Sequence, residues 1–427
     1  MGREQKAWLG SLGLSLGHKG VSGAWGKRAK QAALEHLGRA IVSSGRALIE
    51  PPRNALREDE IVWGRAPARL DLAGGWTDTP PYSLERGGCV LNAAVNLNGQ
   101  SPIQAYARVI PEPEIRINSI DHSARIVVRE LDELLDYRRP ASRFGLAKAA
   151  LALCGFSPAE AAWKRRTTLC RMLEEFGGGI ELTTLAAIPS GSGLGTSSIM
   201  GAVLVSVISR MTGRKLSPRE LFHAVLKLEQ ELTTGGGWQD QVGGVVGGVK
   251  VIRTEPGMVP NPLIHFVPAD TLDPRTNGGQ TLLYYTGLRR LAKNILADVV
   301  GSYLSRERGS MRILSELHAF PPRMAEAMSQ KSVEHFGRLL NEAWGLKKGL
   351  DQESTTPLIE GVLDQVARHV FGATLLGAGG GGFLLLVCRS AGDAGKVRDR
   401  LTRKPPNPRA RFFDFDVNAE GLVVTVS

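Results

Sequence analysis

Two hydrophobic periods alternate along the first part of the chain. Residues 61–72 and 103–110 place apolar side chains at nearly every second position, which is typical of half-buried strands. Residues 199–211 form a long apolar run directly after a glycine-rich turn, which favours a buried helix. These patterns predict strands over Ile61–Leu72, Val90–Val95, Ile103–Ile110 and Ile180–Ala187, a hairpin over Ile115–Val128, and helices over Leu146–Cys154 and Ile199–Met211.

The pattern restarts near residue 281, beyond a stretch that prolines interrupt between Pro256 and Pro274. It predicts a strand over Leu282–Tyr285, helices over Leu291–Leu304, Ser310–Met328, Phe336–Leu350 and Leu358–His369, and a strand, glycine loop and strand within Leu375–Val387. A second alternation of strands and helices after a break predicts a second α+β domain. A chain of 427 residues, 42% of them hydrophobic, is also too long for one ordinary core.

The first 57 residues resemble an extension more than a domain. They hold ten Lys or Arg against three Glu, so they carry +7 of the formal net charge of +11. Apolar residues at helical spacing between Lys27 and Glu50 predict a helix that ends before Pro51. We expect a linker helix laid against the next domain, and a partner-docking helix is the alternative. The rest of the chain is nearly neutral and shows no basic stripe, so we expect no nucleic-acid partner.

Cysteine usage and the N-terminus bear on the compartment. The four cysteines lie far apart without a C-x-x-C pair, which argues against zinc, a disulfide scaffold or thiol redox chemistry. The N-terminal region shows neither an apolar run near 18 residues nor a small-residue cleavage site. We therefore expect a soluble, cytoplasmic protein without a membrane partner.

A glycine-rich turn precedes the helix predicted over Ile199–Met211. Residues 189–198 read Pro-Ser-Gly-Ser-Gly-Leu-Gly-Thr-Ser-Ser. Glycines at every second position let the backbone curl with its N–H groups inward, and the helix adds the positive end of its dipole, so the turn can cradle phosphate. It is not a Walker loop because no lysine follows the last glycine. A metal-ligating carboxylate is then required from elsewhere, unless the turn only starts a helix.

The helix that begins near residue 217 supplies a candidate for this carboxylate. Ser217 and Glu220 form a capping box, with proline between them at the first helical position. Counting about 100° per residue from Leu221, Glu229 falls at roughly 80°, on the apolar side of the helix. A carboxylate placed there costs several kcal/mol unless it is paired or bound to a metal. Glu229 is therefore predicted to be a metal ligand.

Three further segments combine glycine with candidate binding groups. Asp240 follows three glycines, and we expect it to lie in a bend close to a substrate, with simple turn capping as the alternative. Trp76 and Asp78 crowd another sharp turn, which suggests a ligand. Residues 377–382 match G-x-G-x-x-G, but the strand predicted after them excludes a dinucleotide turn. We expect this loop to form a second backbone wall against nucleotide or substrate, or else only a tight strand connection.

Three glycine-centred motifs, in this order, resemble those of the GHMP small-molecule kinases. They are Pro-Ala-Arg-Leu-Asp-Leu-Ala-Gly-Gly-Trp-Thr-Asp from Pro67, Gly-Ser-Gly-Leu-Gly-Thr-Ser-Ser from Gly191, and Gly-Ala-Gly-Gly-Gly-Gly from Gly377. From about residue 60 onward the chain is similar to the L-fucokinase branch of that superfamily, whose domain occurs alone or behind a guanylyltransferase domain that forms GDP-fucose. The segments at residues 73–81 and 232–241 carry the similarity to this branch.

The resemblance implies an α/β domain like ribosomal protein S5 followed by a ferredoxin-like α+β domain, with the active site between them. We place these domains at residues 58–268 and 269–427, after an extension over residues 1–57. ATP and Mg²⁺ are the implied cofactors. The resemblance assigns Asp240 and Arg69 to catalysis, Ser197 and Glu229 to Mg²⁺, Trp76, Asp78, Gly237 and Asp240 to the sugar, and Gly191, Ser192, Gly193, Leu194, Gly195, Thr196, Ser197, Ser198, Gly379, Gly380 and Gly381 to the nucleotide.

One departure from the superfamily bears on the substrate. Galactokinases have Glu-His where this chain has Gly75-Trp76, which removes polar groups suited to a hydroxymethyl group at C6. L-Fucose is a 6-deoxy sugar, and its methyl group would pack well on an indole. The expected activity is ATP-dependent phosphorylation of the anomeric hydroxyl of L-fucose, with a separate guanylyltransferase acting downstream. A heptose-phosphate 1-kinase, another sugar kinase of the superfamily and a non-catalytic sugar sensor are the alternatives.

Overall fold

A computed structural model describes residues 49–139, 142–163, 167–232, 236–289 and 293–427. Its fifteen strands are β1 (Val62–Ala66), β2 (Ala68–Ala73), β3 (Gly88–Leu97), β4 (Ile103–Ile110), β5 (Ile115–Ser119), β6 (Ala124–Val128), β7 (Gly179–Ala186), β8 (Val249–Thr254), β9 (Leu263–Val267), β10 (Thr281–Tyr285), β11 (Val370–Leu375), β12 (Phe383–Cys388), β13 (Arg411–Phe413), β14 (Phe415–Val417) and β15 (Val423–Val426). This count, like that of the helices, covers the described residues alone.

The twelve α-helices of the described residues alternate with these strands. They are α1 (Tyr82–Arg86), α2 (Leu131–Leu135), α3 (Gly145–Leu153), α4 (Leu169–Phe176), α5 (Thr196–Met211), α6 (Pro218–Leu232), α7 (Gln239–Gly243), α8 (Lys293–Leu304), α9 (Arg308–Ser329), α10 (Val333–Leu350), α11 (Pro357–Val366) and α12 (Ala391–Arg403). Within the described chain, no helix combines the length and the apolar character needed to cross a membrane.

The described strands form three sheets. One has the order β15-β1-β4-β7-β5-β6 and is antiparallel except where β5 runs parallel to β7. The second has the order β14-β3-β8-β9, with β2 also paired to β3. The third, β11-β12-β10-β13, is wholly antiparallel and belongs to the second half of the chain. Mixed layers of helices and sheets confirm the expected combination of α/β and α+β architecture.

Helix α5 is the central element of the first half. It is apolar nearly all round and packs across β1 and β4, so it is buried along most of its length. Strand β7 enters the glycine turn, and α5 leaves it, as the hydrophobic pattern predicted. The turn is thus held at one end of a rigid strand and helix pair.

The two halves of the chain share one core. Helix α9 packs on β2 and β3 of the first half and on α10 of the second, and its buried side chains join those of the first-half sheets. Strands β14 and β15, at the end of the chain, pair with β3 and β1. The sequence predicted neither return. The domain boundary at residues 268/269 stays a prediction. The strands β14 and β15 follow this boundary in the sequence but belong to sheets of the first half.

The strands and helices that were predicted from periodicity agree with the structure within a few residues. The bend expected at Asp240 is wrong, because Asp240 lies in the first turn of the short helix α7. The elements that were not predicted are the helices α1, α2, α4, α7 and α12 and the strands β8, β9, β13, β14 and β15. Helix α12 carries two glycines and a mostly polar surface, so its helical period is weak. The helix predicted over Lys27–Glu50 lies outside the described residues, except for the last two positions.

Candidate active site

Strand β2 brings a buried arginine to Asp240. The Arg69 side chain is 5% exposed, and its guanidinium donates a hydrogen bond to Oδ1 of Asp240 in an ion pair. The backbone N–H of Arg69 donates to the carbonyl of Leu194 at 3.1 Å, so the strand also touches the glycine turn. The structure therefore brings together the catalytic pair that the resemblance implied, although the two residues are 171 positions apart.

The glycine turn has the curled backbone that its spacing predicted. Gly191, Gly193 and Gly195 have φ angles of 69°, 79° and 73°. A Cβ at Gly195 would lie 3.1 Å from Cγ of Asp240, and one at Gly193 would lie 2.5 Å from the carbonyl oxygen of Leu376. Glycine is thus required twice over, for the left-handed backbone and for the close approach of neighbours.

The second glycine loop, residues 377–382, packs directly on the glycine turn at residues 189–198. A Cβ at Gly382 would lie 2.2 Å from the carbonyl oxygen of Ser192, and Gly377 abuts Gly193 in the same way. The loop is therefore more than a strand connection, since it forms one wall of a cavity through Gly377 and Ala378. The residues predicted to bind nucleotide, Gly379 to Gly381, lie elsewhere, against Ser354 and Leu288.

Helix α6 buries Glu229, as its helical phase predicted. The residue is 7% exposed, and one of its carboxylate oxygens accepts a hydrogen bond from Oγ of Ser198 at 2.9 Å. Burial raises the pKa of Glu229, the Ser198 hydrogen bond lowers it and the nearby charge of Asp240 raises it, which together give a pKa of about 7. The direct hydroxyl partner is Ser198, whereas the predicted ligand Ser197 is exposed. The assignment of Ser197 to the metal stays a prediction.

A small cavity of about 210 Å³ opens beside the Arg69–Asp240 pair. We call it the small cavity. Its lining combines the glycine loops with the polar residues of both sharp turns. It comprises Arg69, Asp71, Gly75, Trp76, Asp78, Thr79, Gly193, Gly195, Gly236, Gly237, Gln239, Asp240, Gly377 and Ala378. All four residues predicted to contact the sugar thus line one space.

Asp78 is held firmly at one wall of the small cavity. It is 2% exposed and accepts hydrogen bonds from the backbone N–H and side-chain amide of Gln239, at 3.2 and 3.3 Å. Gly237 packs on it so closely that a Cβ would lie 1.9 Å from its Oδ2. Burial, and secondarily the charge of Asp240, raise the pKa of Asp78 to about 7. Trp76, beside it, is buried with φ of 80°, an unusual angle for a residue other than glycine.

A large cavity of about 900 Å³ lies on the other side of the glycine turn. We call it the large cavity. Ser190, Gly191, Thr196 and Ser197 form its edge at the turn. The opposite walls come from the β5–β6 turn and from the start of α3, and include His122, Arg125, Arg143, Phe144 and Ala147. The sequence predicted the β5–β6 hairpin but carried no signal that its turn lines this cavity.

Lys250 lies close to the Arg69–Asp240 pair, and the sequence analysis did not single it out. It is fully buried on β8, and its ammonium group donates to the carbonyls of Gly243 and Gly248 at 3.1 and 3.2 Å. Burial, with the nearby charge of Arg69, lowers its pKa to about 7. Because Gly243 is the last residue of α7, Lys250 anchors the helix that carries Asp240.

The described residues contain no cluster of three or more His, Cys, Asp or Glu side chains that could hold a metal. A hard cation can keep several waters and bind through one or two protein oxygens together with substrate phosphates. A buried carboxylate, a hydroxyl and a second carboxylate at Asp240 are oxygen donors of that kind. The repulsion between Glu229 and Asp240, which helps to raise the pKa of Glu229, is what a cation would relieve.

Two family models match the chain, and the curated proteins similar to it include two bifunctional enzymes. The model of the GHMP kinases N-terminal domain matches residues 161–248, and that of the GHMP kinases C-terminal domain matches residues 324–407. The L-fucokinase/L-fucose-1-P guanylyltransferase of Bacteroides fragilis is 42% identical over 398 residues, which are 93% of this chain and 42% of that protein. The bifunctional fucokinase/GDP-fucose pyrophosphorylase of Arabidopsis thaliana is 31% identical over 405 residues, 91% of this chain and 36% of that protein.

The chain thus spans less than half the length of either relative. Among solved structures, a D-glycero-D-manno-heptose 1-phosphate kinase from Bacteroides thetaiotaomicron superposes with a TM-score of 0.61 over 85% of this chain and 98% of that chain, at 20% identity. At this identity the likeness shows the fold alone. One matched model lies in each half of the molecule, and the glycine loops of the two halves meet at the small cavity. The chain belongs to the GHMP kinases.

Proposed function

We propose that this chain is an ATP-dependent sugar 1-kinase that phosphorylates the anomeric hydroxyl of L-fucose and yields L-fucose 1-phosphate and ADP. The observation that carries the proposal is the position of the Arg69–Asp240 pair beside the glycine turn, with one cavity on each side of that turn. The small cavity suits a monosaccharide, and the large cavity suits a nucleotide whose phosphates reach over the turn toward Asp240.

The glycine turn would hold the phosphates through backbone amides. Its N–H groups and the N-terminus of α5 place fixed partial positive charge where a phosphate would bind, without reorganisation during the reaction. Phosphoryl transfer depends mainly on in-line positioning and charge neutralisation, so such a cradle supplies much of what the reaction needs.

Asp240 and Arg69 would act on the attacking hydroxyl and the transferred group. The O1 oxygen of the sugar forms a bond to the γ-phosphorus, the bond from this phosphorus to the β,γ-bridging oxygen breaks, and the O1 proton passes to the Asp240 carboxylate. Arg69 would orient the Asp240 carboxylate through their hydrogen bond and offset negative charge on the phosphoryl group. ADP then leaves with the electron pair of the broken bond.

Mg²⁺ is the metal that these residues fit. Glu229 would hold it with a hydroxyl of the first turn of α5, either Ser197 as the resemblance implies or Ser198, which already contacts Glu229. When bound, the ion would neutralise charge on the β- and γ-phosphates.

The preference for L-fucose rests on the wall formed by Trp76 and Asp78. An indole at this position offers an apolar surface to the C6 methyl group, and the firmly held Asp78 carboxylate can accept hydrogen bonds from ring hydroxyls. Both relatives described above carry fucokinase in their names. They also join it to an activity that uses fucose 1-phosphate, so we propose that a guanylyltransferase consumes the product.

The test is an ADP-release assay coupled to NADH oxidation, with L-fucose, D-galactose, D-mannose and heptose 7-phosphate as acceptors. We expect L-fucose to give the highest kcat/KM. Galactose phosphorylated as efficiently as L-fucose would contradict the role of Trp76. A preference for the heptose phosphate would favour the alternative kinase, and sugar binding without ADP release from any acceptor would favour the sensor.

A further inference from the structure

Two buried side chains from different halves of the chain form an ion pair beside the small cavity. The ammonium group of Lys347, on α10, lies 2.6 Å from Oδ2 of Asp71, on β2, and each side chain is 2% exposed. Gly75 packs over the pair, since a Cβ there would lie 2.4 Å from the same oxygen of Asp71. Burying two charges is costly unless the geometry is good, so their position calls for a reason beyond stability.

Asp71 is also a neighbour of the catalytic arginine. Arg69 and Asp71 are two positions apart on β2, so their side chains lie on the same face of the strand. Burial lowers the pKa of Arg69, but the charge of Asp240, and next that of Asp71, together raise it above its ordinary value. Arg69 therefore has three carboxylates within electrostatic reach, Asp240, Asp71 and Asp78, and Asp71 is the one with no proposed contact to the substrate.

Asp71 can compete with Asp240 for Arg69, because both Asp71 and Arg69 have buried polar atoms without a hydrogen-bond partner. Among the described residues, Oδ1 of Asp71 has no hydrogen-bond partner, nor have Nε and Nη1 of Arg69, although all three atoms are buried. A carboxylate without a cation would draw the guanidinium toward itself, because an unpaired buried charge is strongly destabilising. Lys347 provides the cation that satisfies Asp71.

The helix of Lys347 also supports the second glycine loop. The backbone carbonyl of Lys347 accepts a hydrogen bond from the Asp351 N–H at 3.2 Å, and the following turn ends at Ser354. The carbonyl of Ser354 in turn accepts a hydrogen bond from the N–H of Gly380 at 2.6 Å. The ion pair thus joins the strand that carries Arg69 to the segment that holds the opposite wall of the small cavity.

We propose that Lys347 and Asp71 are a positioning pair: Lys347 neutralises Asp71, so that Arg69 stays directed at Asp240 and at the transferred phosphoryl group. The inference rests on the proposed kinase function for its kinetic consequence, but its structural consequence is independent of activity. Neither residue needs to touch the substrate in this role.

The test compares the wild-type chain with K347M, K347R and the double variant K347M/D71N. Loss of Lys347 frees Asp71 to compete for Arg69, so kcat of K347M should fall by at least about tenfold while KM for the sugar changes less than about threefold. The double variant removes the competing carboxylate and should recover most of kcat. K347R keeps the charge and should stay closer to wild type than K347M.

A matched control separates positioning from stability. Lys148 and Asp136 form a second Lys–Asp pair at 2.8 Å, with a similarly buried lysine, and neither residue lines the small or the large cavity. K148M should lower the melting temperature with little change in kcat. One outcome contradicts the proposal: the double variant K347M/D71N regains the melting temperature that K347M loses relative to wild type without regaining the lost kcat. In that case the role of the pair is only structural and the proposal is wrong.

A crystal structure of K347M provides the arm that does not depend on activity. We expect the Arg69 guanidinium to turn from Asp240 toward Asp71. Arg69 still bonded to Asp240 in that structure, or a kcat of K347M within twofold of wild type, would overturn the proposal. A wild-type chain that phosphorylates no sugar would refute the proposed function, while the crystal structure would still decide the position of Arg69.

Discussion

Gly195 lies against the carboxylate of Asp240: a Cβ on this glycine would be 3.1 Å from Cγ of the aspartate. The contact joins the phosphate-binding turn to the residue proposed to accept the sugar proton. Any side chain at position 195 would have to push Asp240 away from the turn or distort the turn itself.

The first prediction is therefore that G195A loses activity far beyond its loss of stability. Alanine in a left-handed backbone costs about 1–2 kcal/mol, and displacement of Asp240 should lower kcat by about 100-fold. G278A is the matched control, because Gly278 has a similar φ of 70° and a Cβ there would meet no atom within 4 Å. Steady-state kinetics and thermal melts of both variants provide the comparison. Equal kcat in the two variants would contradict the account.

The second prediction concerns pH and Asp78. Because its pKa is raised to about 7 in the folded chain, Asp78 keeps its proton in the folded state at pH values where the unfolded state has already lost it. Its contribution to stability is therefore full below about pH 4 and is lost as the pH rises toward 7.

D78N should become more stable relative to wild type as the pH rises through this window, by up to about 1.4 kcal/mol per pH unit. Urea unfolding of both proteins without ligands, at several pH values between 4 and 8, measures the difference. A difference that stays constant with pH would show that Asp78 titrates normally. In kinetic assays near neutral pH, the same variant should raise KM for the sugar.

The third prediction addresses the metal. E229Q should raise the Mg²⁺ concentration that gives half-maximal activity by about tenfold or more, because an amide binds Mg²⁺ more weakly than a carboxylate does. E231Q is the control on the same helix, since Glu231 accepts a hydrogen bond from the Tyr137 hydroxyl at 2.8 Å and lines neither cavity. Mg²⁺ titrations of ADP release measure both variants. Matching curves for E229Q and wild type would remove Glu229 from the metal site.

The fourth prediction tests how Trp76 reads the sugar. L-Galactose differs from L-fucose only by a hydroxyl group on C6, so the ratio of kcat/KM for these two sugars isolates the contact with the C6 group. W76A should lower this ratio by roughly tenfold or more in favour of L-galactose, as expected for the loss of one apolar contact. W76F keeps an aromatic ring and should retain most of the preference. An unchanged ratio in W76A would place the methyl group elsewhere.

The sequence predicted the elements that depend on local pattern. The strand–turn–helix unit around Gly193 and the burial of Glu229 follow from glycine spacing and helical phase, and the structure has both. The pairing of Arg69 with Asp240 came only from the resemblance, because no local signal connects residues so distant in the chain. Ser197 and Ser198 show the limit of such reasoning, since adjacent residues of a helix point about 100° apart.

What the sequence could not predict depends on packing between distant segments. Lys347 is one of two adjacent lysines on α10, and nothing in its local sequence distinguishes it from Lys348, which pairs with Glu360. Lys250 sits in an ordinary strand, and its burial depends on the approach of α7. The return of β15 to β1 likewise depends on long-range pairing, for which a four-residue strand carries no signal.

The most direct test of the central claim separates binding from transfer in D240N. Calorimetry should show L-fucose and a non-hydrolysable ATP analogue binding to D240N within about tenfold of their wild-type affinities, because the two cavities are otherwise intact. Single-turnover assays, with phosphorus NMR of the product, should show L-fucose 1-phosphate formed by wild type and a transfer rate in D240N lower by about 1000-fold or more. Transfer by D240N within a few-fold of the wild-type rate would contradict the account.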